Sequence, residues 1–393
     1  MNEGRTVFSQ LLDYLPKHEF DKCVERHQGN FHVRRLSTYE QFLIMAFAQL
    51  TWRESLRDIV TCLGALGPKL YHSGIRRAAA RSTLADANEK RDWRIFADFA
   101  QVLMQETASL YNNEPLGTDI QTAAYALDST MISLCLSLCP WAKFHHHHTG
   151  VKLHTLLALR GNYPTVVIIT PSRIHDATIM DELAYEAGSF YIFDRAYVDF
   201  SRLHHLHQSA AFFVTRPLAN FRSNRRSSRP VDVSIGLRFD QTVVLRTRMA
   251  KKHFPHPLRR IGWTDPVSGK SLVFLTNNFT EPALTIAQLY RCRWQVELFF
   301  KWIKQHLRIK AFYGISENAV RSQLWIATSV YLLVAILKKR LNLKLSLYTI
   351  LQILSLTLFE KTHLLQAFSS PPPLPNIPPT KNQPCLPGFL TGH

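Results

Sequence analysis

A mixed α/β sheet flanked by helices and led by an all-helical N-terminal region is the fold class this sequence predicts. Three observations carry that reading. Apolar residues recur at helical spacing through the first 115 residues, and from residue 120 the period shortens to that of strands. Strands then alternate with helices, and a late amphipathic helix closes the pattern at residues 290–304.

In the N-terminal region, Thr38 to Gln41 predicts a capping box ahead of the apolar run 42–47. Leu56, Ile59, Val60 and Leu63 mark the buried side of a second helix, with Gly64 as its stop. A basic stretch with Arg76, Arg77 and Arg81 follows Gly67-Pro68, and Ser82 or Thr83 caps a helix running into Trp93, Ile95, Phe96 and Phe99. Short helices with a basic connector suit a DNA-binding domain. They suit equally a helical packing module with solvated charges, and no helix-turn-helix signature separates the two.

The α/β region opens with a predicted strand over residues 125–132 that carries Asp128 in its middle. Strands at 151–159 and 165–170 join through a Gly161-Asn162 turn. A helix is expected over 177–187, closed by Gly188, and then an apolar strand 190–193 that ends at Asp194. A helix at 199–208 and a strand at 211–215 complete this part. Residues 231–239, 242–249, 258–263 and 271–277 read as strands of a small β insertion, entered through a basic loop with Arg222, Arg225, Arg226 and Arg229. The expected boundaries are 1–115 for the helical region, 116–216 and 281–360 for the two parts of the core, 217–280 for the insertion, and 361–393 for a flexible Pro-rich tail.

Composition limits the partners. With 46% hydrophobic residues the chain can bury a core and is not a disordered protein. A formal net charge of +18 favours a polyanion, either nucleic acid or an anionic membrane. The membrane option is the weaker, because the longest apolar run, 324–337, is shorter than a bilayer span and contains Thr328 and Ser329. It reads as a buried helix ending at Lys338-Lys339-Arg340. The first twenty residues carry no secretory pattern, and the six cysteines form no CxxC pair, so a reducing, cytoplasmic setting is expected. Cys135 and Cys139 ahead of His145–His148 match no standard zinc spacing, and the histidines read as a polar loop.

Chemistry concentrates on the late helix. Tyr290, Arg293, Glu297 and Lys304 stand at offsets of three, seven and fourteen from the first. At about 100° per residue they share one narrow sector, and Leu289, Val296, Phe299, Ile303 and Leu307 share the opposite one. Glu297 is a lone acid among Arg293, Lys301, Lys304 and Arg308. Taken alone, this is a solvated helix with Arg293–Glu297 and Glu297–Lys301 pairs. Taken with Asp128 inside one apolar strand and Asp194 at the end of another, it becomes a three-acid set. Carboxylates in such places are costly unless a cation compensates them. Three acids from separate elements suffice for two hard cations that activate one oxygen and stabilise another at a phosphorus.

The spacing Tyr-x2-Arg-x3-Glu-x6-Lys at Tyr290, Arg293, Glu297 and Lys304 resembles the signature of one branch of bacterial insertion-sequence transposases, the DDE enzymes with an RNase H-like core. Leu127-Asp128-Ser129-Thr130 and Asp194-Arg195-Ala196-Tyr197 resemble the first and second Asp motifs, with Ala196 where Gly is usual. Gly150-Val151-Lys152-Leu153-His154 and His175-Asp176 stand where recurring segments fall in these enzymes. The resemblance spans roughly residues 120–345. It implies a cut-and-paste enzyme in which Asp128, Asp194 and Glu297 hold Mg2+, with Mn2+ as a substitute. Water would cut at the element end, and the freed 3′-hydroxyl would attack the opposite strand to give a hairpin, and later the target. Tyr290, Arg293 and Lys304, with Lys301 and Arg308 beside them, would contact phosphates rather than pair with Glu297. Trp263 is either the platform for a base flipped near the end or a core aromatic. The implied partners are double-stranded DNA (terminal inverted repeats and target) and a second copy of the chain in a synaptic dimer at the nucleoid. The alternatives are an end-binding repressor without activity and an RNase H-like nuclease without strand transfer.

Overall fold

The computed structural model describes residues 4–134, 141, 143–145, 148–266, 268–307 and 312–369. Arg308, Cys135, Cys139, His146, His147 and the tail from residue 370 lie outside them.

Six helices come first: α1 Val7–Leu11, α2 Lys17–Arg26, α3 Thr38–Leu50, α4 Leu56–Leu66, α5 Arg81–Lys90 and α6 Arg94–Tyr111. The capping box belongs to Ser37 and Glu40, one residue earlier than the sequence suggested. The Ser37 side chain accepts from the Glu40 N–H, and Glu40 accepts from the Ser37 N–H. Helix α4 runs through Gly64 and stops at Gly67, whose φ of +46° a side chain would resist. Arg91 to Trp93 divide the predicted third helix into α5 and α6.

Ten strands follow among the described residues: β1 Ala124–Ser133, β2 Lys143–His145, β3 His148–Ala158, β4 Tyr163–Pro171, β5 Phe190–Phe193, β6 Phe212–Thr215, β7 Ser223–Arg229, β8 Leu237–Leu245, β9 Leu258–Thr264 and β10 Ser271–Thr276. Interleaved or following are α7 Phe200–Gln208, α8 Arg248–His253, α9 Ala283–Cys292, α10 Trp294–His306, α11 Glu317–Arg340, α12 Leu347–Thr357 and α13 Leu364–Ala367. The sheet's first half runs β4-β3-β1-β5-β6, with β1, β3 and β4 antiparallel and β1, β5 and β6 parallel. This is the RNase H-like order. The β3–β4 turn is closed by Gly161 and Asn162, both at positive φ.

Two expectations change. Instead of a helix over 177–187, a 3-10 turn covers Asp176–Glu182. The β insertion joins the core sheet: β10 pairs antiparallel with β6 and continues the same sheet through β9 and β8 to β7. The predicted basic loop is mostly strand β7, an exposed edge, and its arginines blunt an edge that would otherwise invite pairing.

Alternation along β1 divides two apolar cores. Ala126 and Ile132 pack into the larger one, with Val296, Phe299 and Ile303 of α10 and most of α11. Leu127 packs into the smaller one, with Tyr197, Leu203 and Phe254. Helix α11 is long and apolar enough to cross a membrane, yet 94% of its apolar window is buried inside the fold. The N-terminal helices wrap it. Tyr111 donates to Ala335 O at 2.9 Å, and Asn318 donates to Asn88 O and Arg91 O. The described start of the tail is ordered against α1, where Gln10 Nε2 donates to Thr362 O at 2.7 Å and Leu364 is buried.

A buried ion pair fastens the insertion to the rest. Arg259 on β9 grips Asp240 on β8 through Nε (2.9 Å) and Nη2 (2.8 Å), and both are at most 4% exposed. Arg259 Nη1 also donates to Glu281 O at 2.6 Å, just before α9 begins. Replacing Arg259 with Met strands a buried carboxylate and costs about 3–5 kcal/mol in chemical denaturation. A loss below about 1 kcal/mol contradicts the clamp.

Candidate active site

Parallel pairing of β1 with β5 ends at Leu127–Phe193, so the next residue of each chain segment, Asp128 and Asp194, falls at the point where β5 stops. Asp194 caps the short turn Arg195–Tyr197: its Oδ1 accepts from the Ala196 N–H at 2.8 Å, and its carbonyl accepts from Thr215 Oγ1 at 3.1 Å. The first bond explains why Ala serves where Gly is usual, since only the backbone N–H of residue 196 is used.

The third acid comes from the late helix, which is not one helix. Arg293 separates α9 from α10 through i→i+3 bonds, Arg293 N to Tyr290 O and Val296 N to Arg293 O, both 3.1 Å. The predicted buried sector holds, with Leu289, Val296, Phe299, Ile303 and Leu307 each at most 3% exposed. The chemical sector differs. Tyr290 is 8% exposed and packs against Phe274 with the rings tilted and their centroids 4.9 Å apart, while the Arg293 guanidinium sits 5.8 Å from its ring centre.

Arg293 joins the acids. Its Nη1 donates to Asp128 Oδ2 at 3.0 Å, and its Nη2 donates to Glu297 Oε1 at 2.6 Å. The remaining oxygen of Asp128 accepts from the Ser129 N–H at 2.8 Å. Expected to face phosphate, Arg293 is here the cation between a strand acid and a helix acid. Burial pushes the Asp128 carboxyl up to about 6. The Ser129 N–H and Arg293 pull it down, and the negative charges of Asp194 and Glu297 push it up further. Arg293 therefore links Asp128 to Glu297, and Asp194 follows the strand that pairs with β1.

The other candidates are spread out. Lys301 is exposed and Lys304 half-buried on α10. Trp263 lies on β9, 2% exposed, with its indole N–H donating to Ile235 O at 3.2 Å. That is the core-aromatic alternative, and the folded chain offers no open face of this ring to a base. Ser129 and Thr215, which hold the first two acids, were not singled out from the sequence; a hydroxyl residue at the edge of an apolar strand was the available signal.

Three oxygen-donor acids suit a hard divalent cation. Among the described residues, no three His, Cys, Asp or Glu side chains are gathered closely enough to hold one ion as they stand. The guanidinium between Asp128 and Glu297 accounts for the charge balance in that arrangement.

An RNase H-like sheet with acids on β1, after β5 and on a helix behind the sheet defines a class of nucleic-acid-processing proteins. A family model, the transposase DDE domain, matches residues 121–333, more than half of the chain, and a domain of unknown function (DUF4372) matches residues 3–76. The chain is 34% identical over 295 residues to the y4zB protein of Sinorhizobium fredii, named as a transposase, covering 74% of this chain and 80% of that one. It is 32% identical over 226 residues to a transposase of insertion element IS5377 from Geobacillus stearothermophilus, covering 56% of this chain and 59% of that one. A solved synaptic complex of piggyBac transposase with hairpin DNA aligns with a TM-score of 0.47 and 11% identity, over 89% of this chain and 77% of that one. The chain belongs to the DDE transposase family of insertion sequences.

Asp128 also makes a pH signature. Its folded pKa, about 6, lies above the ordinary 3.8, so the folded state holds the proton more tightly. The stability this gives is complete below pH about 4 and is lost as pH rises through about 6. In chelator, Asp128→Asn should therefore gain about 2–3 kcal/mol relative to the parent chain between pH 4 and pH 7. A difference that does not change with pH contradicts the burial and mutual repulsion of these acids.

Proposed function

We propose that this transposase excises its element by a cut-and-paste route in which Asp128, Asp194 and Glu297 hold divalent cations, Mg2+ or Mn2+. The observation that supports this is the Arg293 bridge: one guanidinium spans a β1 acid and an α10 acid, beside a third acid at the end of β5. Bound cations would supply Lewis acidity and neutralise charge at the scissile phosphate. The residues do the rest. Asp128 and Asp194 are fixed by backbone and strand, while Glu297 arrives on a helix that packs its opposite face into the core.

Arg293 has two roles in this reading. In the structure it balances Asp128 and Glu297. Once these acids take cations it is released to face the phosphate, where a planar, bidentate donor is best suited. Lys301 and Lys304 lie further along α10 and extend a basic track for the DNA backbone, and Arg308 follows them in sequence. The chemistry runs as hydrolysis at the element end, attack of the freed 3′-hydroxyl on the opposite strand to form a hairpin, and joining to target DNA. Two copies of the chain hold the two ends in a synapse, with the N-terminal helices as a further DNA-binding part.

The test uses purified full-length protein, a duplex carrying the element's terminal repeat, and Mg2+ or Mn2+. Site-specific cleavage and hairpin product are expected, each reduced by more than about 100-fold in Glu297→Gln, Asp128→Asn and Asp194→Asn. Specific binding without cleavage in the parent chain, or undiminished cleavage in Glu297→Gln, contradicts the assignment. Lys304→Ala should leave a folded protein whose DNA affinity is weaker and whose log–log salt slope is shallower by about 1.

A further inference from the structure

Two sequence segments remain without a role in that chemistry, and the fold brings them together. Gly150-Val151-Lys152-Leu153-His154 lies on β3, and His175-Asp176 opens the turn after β4. The Asp176 carboxylate accepts from Ser129 Oγ at 2.9 Å, with Lys152 Nζ at 3.0 Å from the same oxygen and His154 Nδ1 at 3.8 Å. Lys152 Nζ also donates to Ile174 O at 2.8 Å, which ties the loop back over β3. His175 accepts from the Ala177 N–H at 3.3 Å and so shapes the turn that presents Asp176.

Resting on the reading of Asp128 as a metal-holding acid, we propose that Asp176 is a positioning residue for Asp128, acting through Ser129. Ser129 is gripped on both sides of the sheet. Its side chain donates to Asp176 on the side of the smaller core, and its N–H donates to Asp128 Oδ1 on the side of α10. It lies past the last parallel pair with β5, where β1 no longer has that neighbour to hold its shape. The Asp176 contact therefore restrains the part of β1 that aims the Asp128 carboxylate. Lys152 balances the charge of Asp176, so the contact adds little negative potential to the site. His154 is 1% exposed and shares a 2.8 Å hydrogen bond with Thr170 Oγ1, closing the network from behind. Support of this kind typically changes metal affinity by about 10–100-fold when removed.

The experiment is calorimetric titration of Mn2+ alone into the full-length, DNA-free protein, with thermal melting as the control for folding. Asp176→Asn and Ser129→Ala should each weaken Mn2+ binding about 10–100-fold, and the double variant should be no weaker than the worse single one. Ser129→Thr, which keeps the hydroxyl, should bind within about threefold of the parent chain. Unchanged affinity in Ser129→Ala, multiplying effects in the double variant, or no rescue by Ser129→Thr overturns the relay. If Asp176→Asn does not fold, the Ser129 pair decides alone. Asp128→Asn separates the two levels. If it leaves Mn2+ binding intact, the metal reading itself fails; if it abolishes binding while Ser129→Ala does not weaken it, only the relay fails.

Discussion

A guanidinium held between Asp128 and Glu297 is the contact on which the arrangement depends. The acids are far apart in sequence, on a strand and on a helix, and repulsion would drive them apart if they approached without compensation. Arg293 offsets part of that penalty with two charge-assisted hydrogen bonds, 3.0 and 2.6 Å. It can do so because the helix is interrupted at Arg293 itself, where i→i+3 bonds turn α9 into α10. Tyr290 packs against Phe274 beside it, and Arg293 reaches across to β1.

The rest of the fold serves to hold that junction still. The larger core seats α10 through Val296, Phe299 and Ile303, and it extends without a break to α11 and the N-terminal helices that wrap α11. The β insertion is tied to the start of α9, because the Asp240–Arg259 pair also grips the carbonyl of Glu281, two residues before that helix. Position 128 is thus supported from both faces of β1: by α10 on one, and by the Ser129–Asp176 contact on the other. A single strand, alternating its side chains, carries Asp128 toward α10 on one face and Ser129 toward Asp176 on the other.

Much of this was legible in the sequence. The change of period near residue 120 located the sheet, the apolar sector of residues 289–307 located the buried side of the late helix, and the two acids in strand context fell where they were read, inside β1 and at the end of β5. What failed did so for local reasons. Residues 177–187 contain enough helix formers to suggest a helix, but His175 and Asp176 commit their polar groups to a tight turn and a cross-strand contact. The place of the insertion was hidden because strand periodicity does not report which edge a strand joins, and β10 adds to the free edge of β6. The Arg293–Glu297 pair was legible from helical spacing, but the second bond of Arg293, to Asp128 on a distant strand, is settled only by tertiary packing.

The most direct measurement is a crystal structure of the full-length chain soaked in Mn2+, read by anomalous scattering. The account predicts Mn2+ coordinated by oxygens of Asp128, Asp194 and Glu297, with Arg293 withdrawn from at least one of the two carboxylates it bridges here. Mn2+ bound elsewhere, with Arg293 still joined to both Asp128 and Glu297, would contradict it.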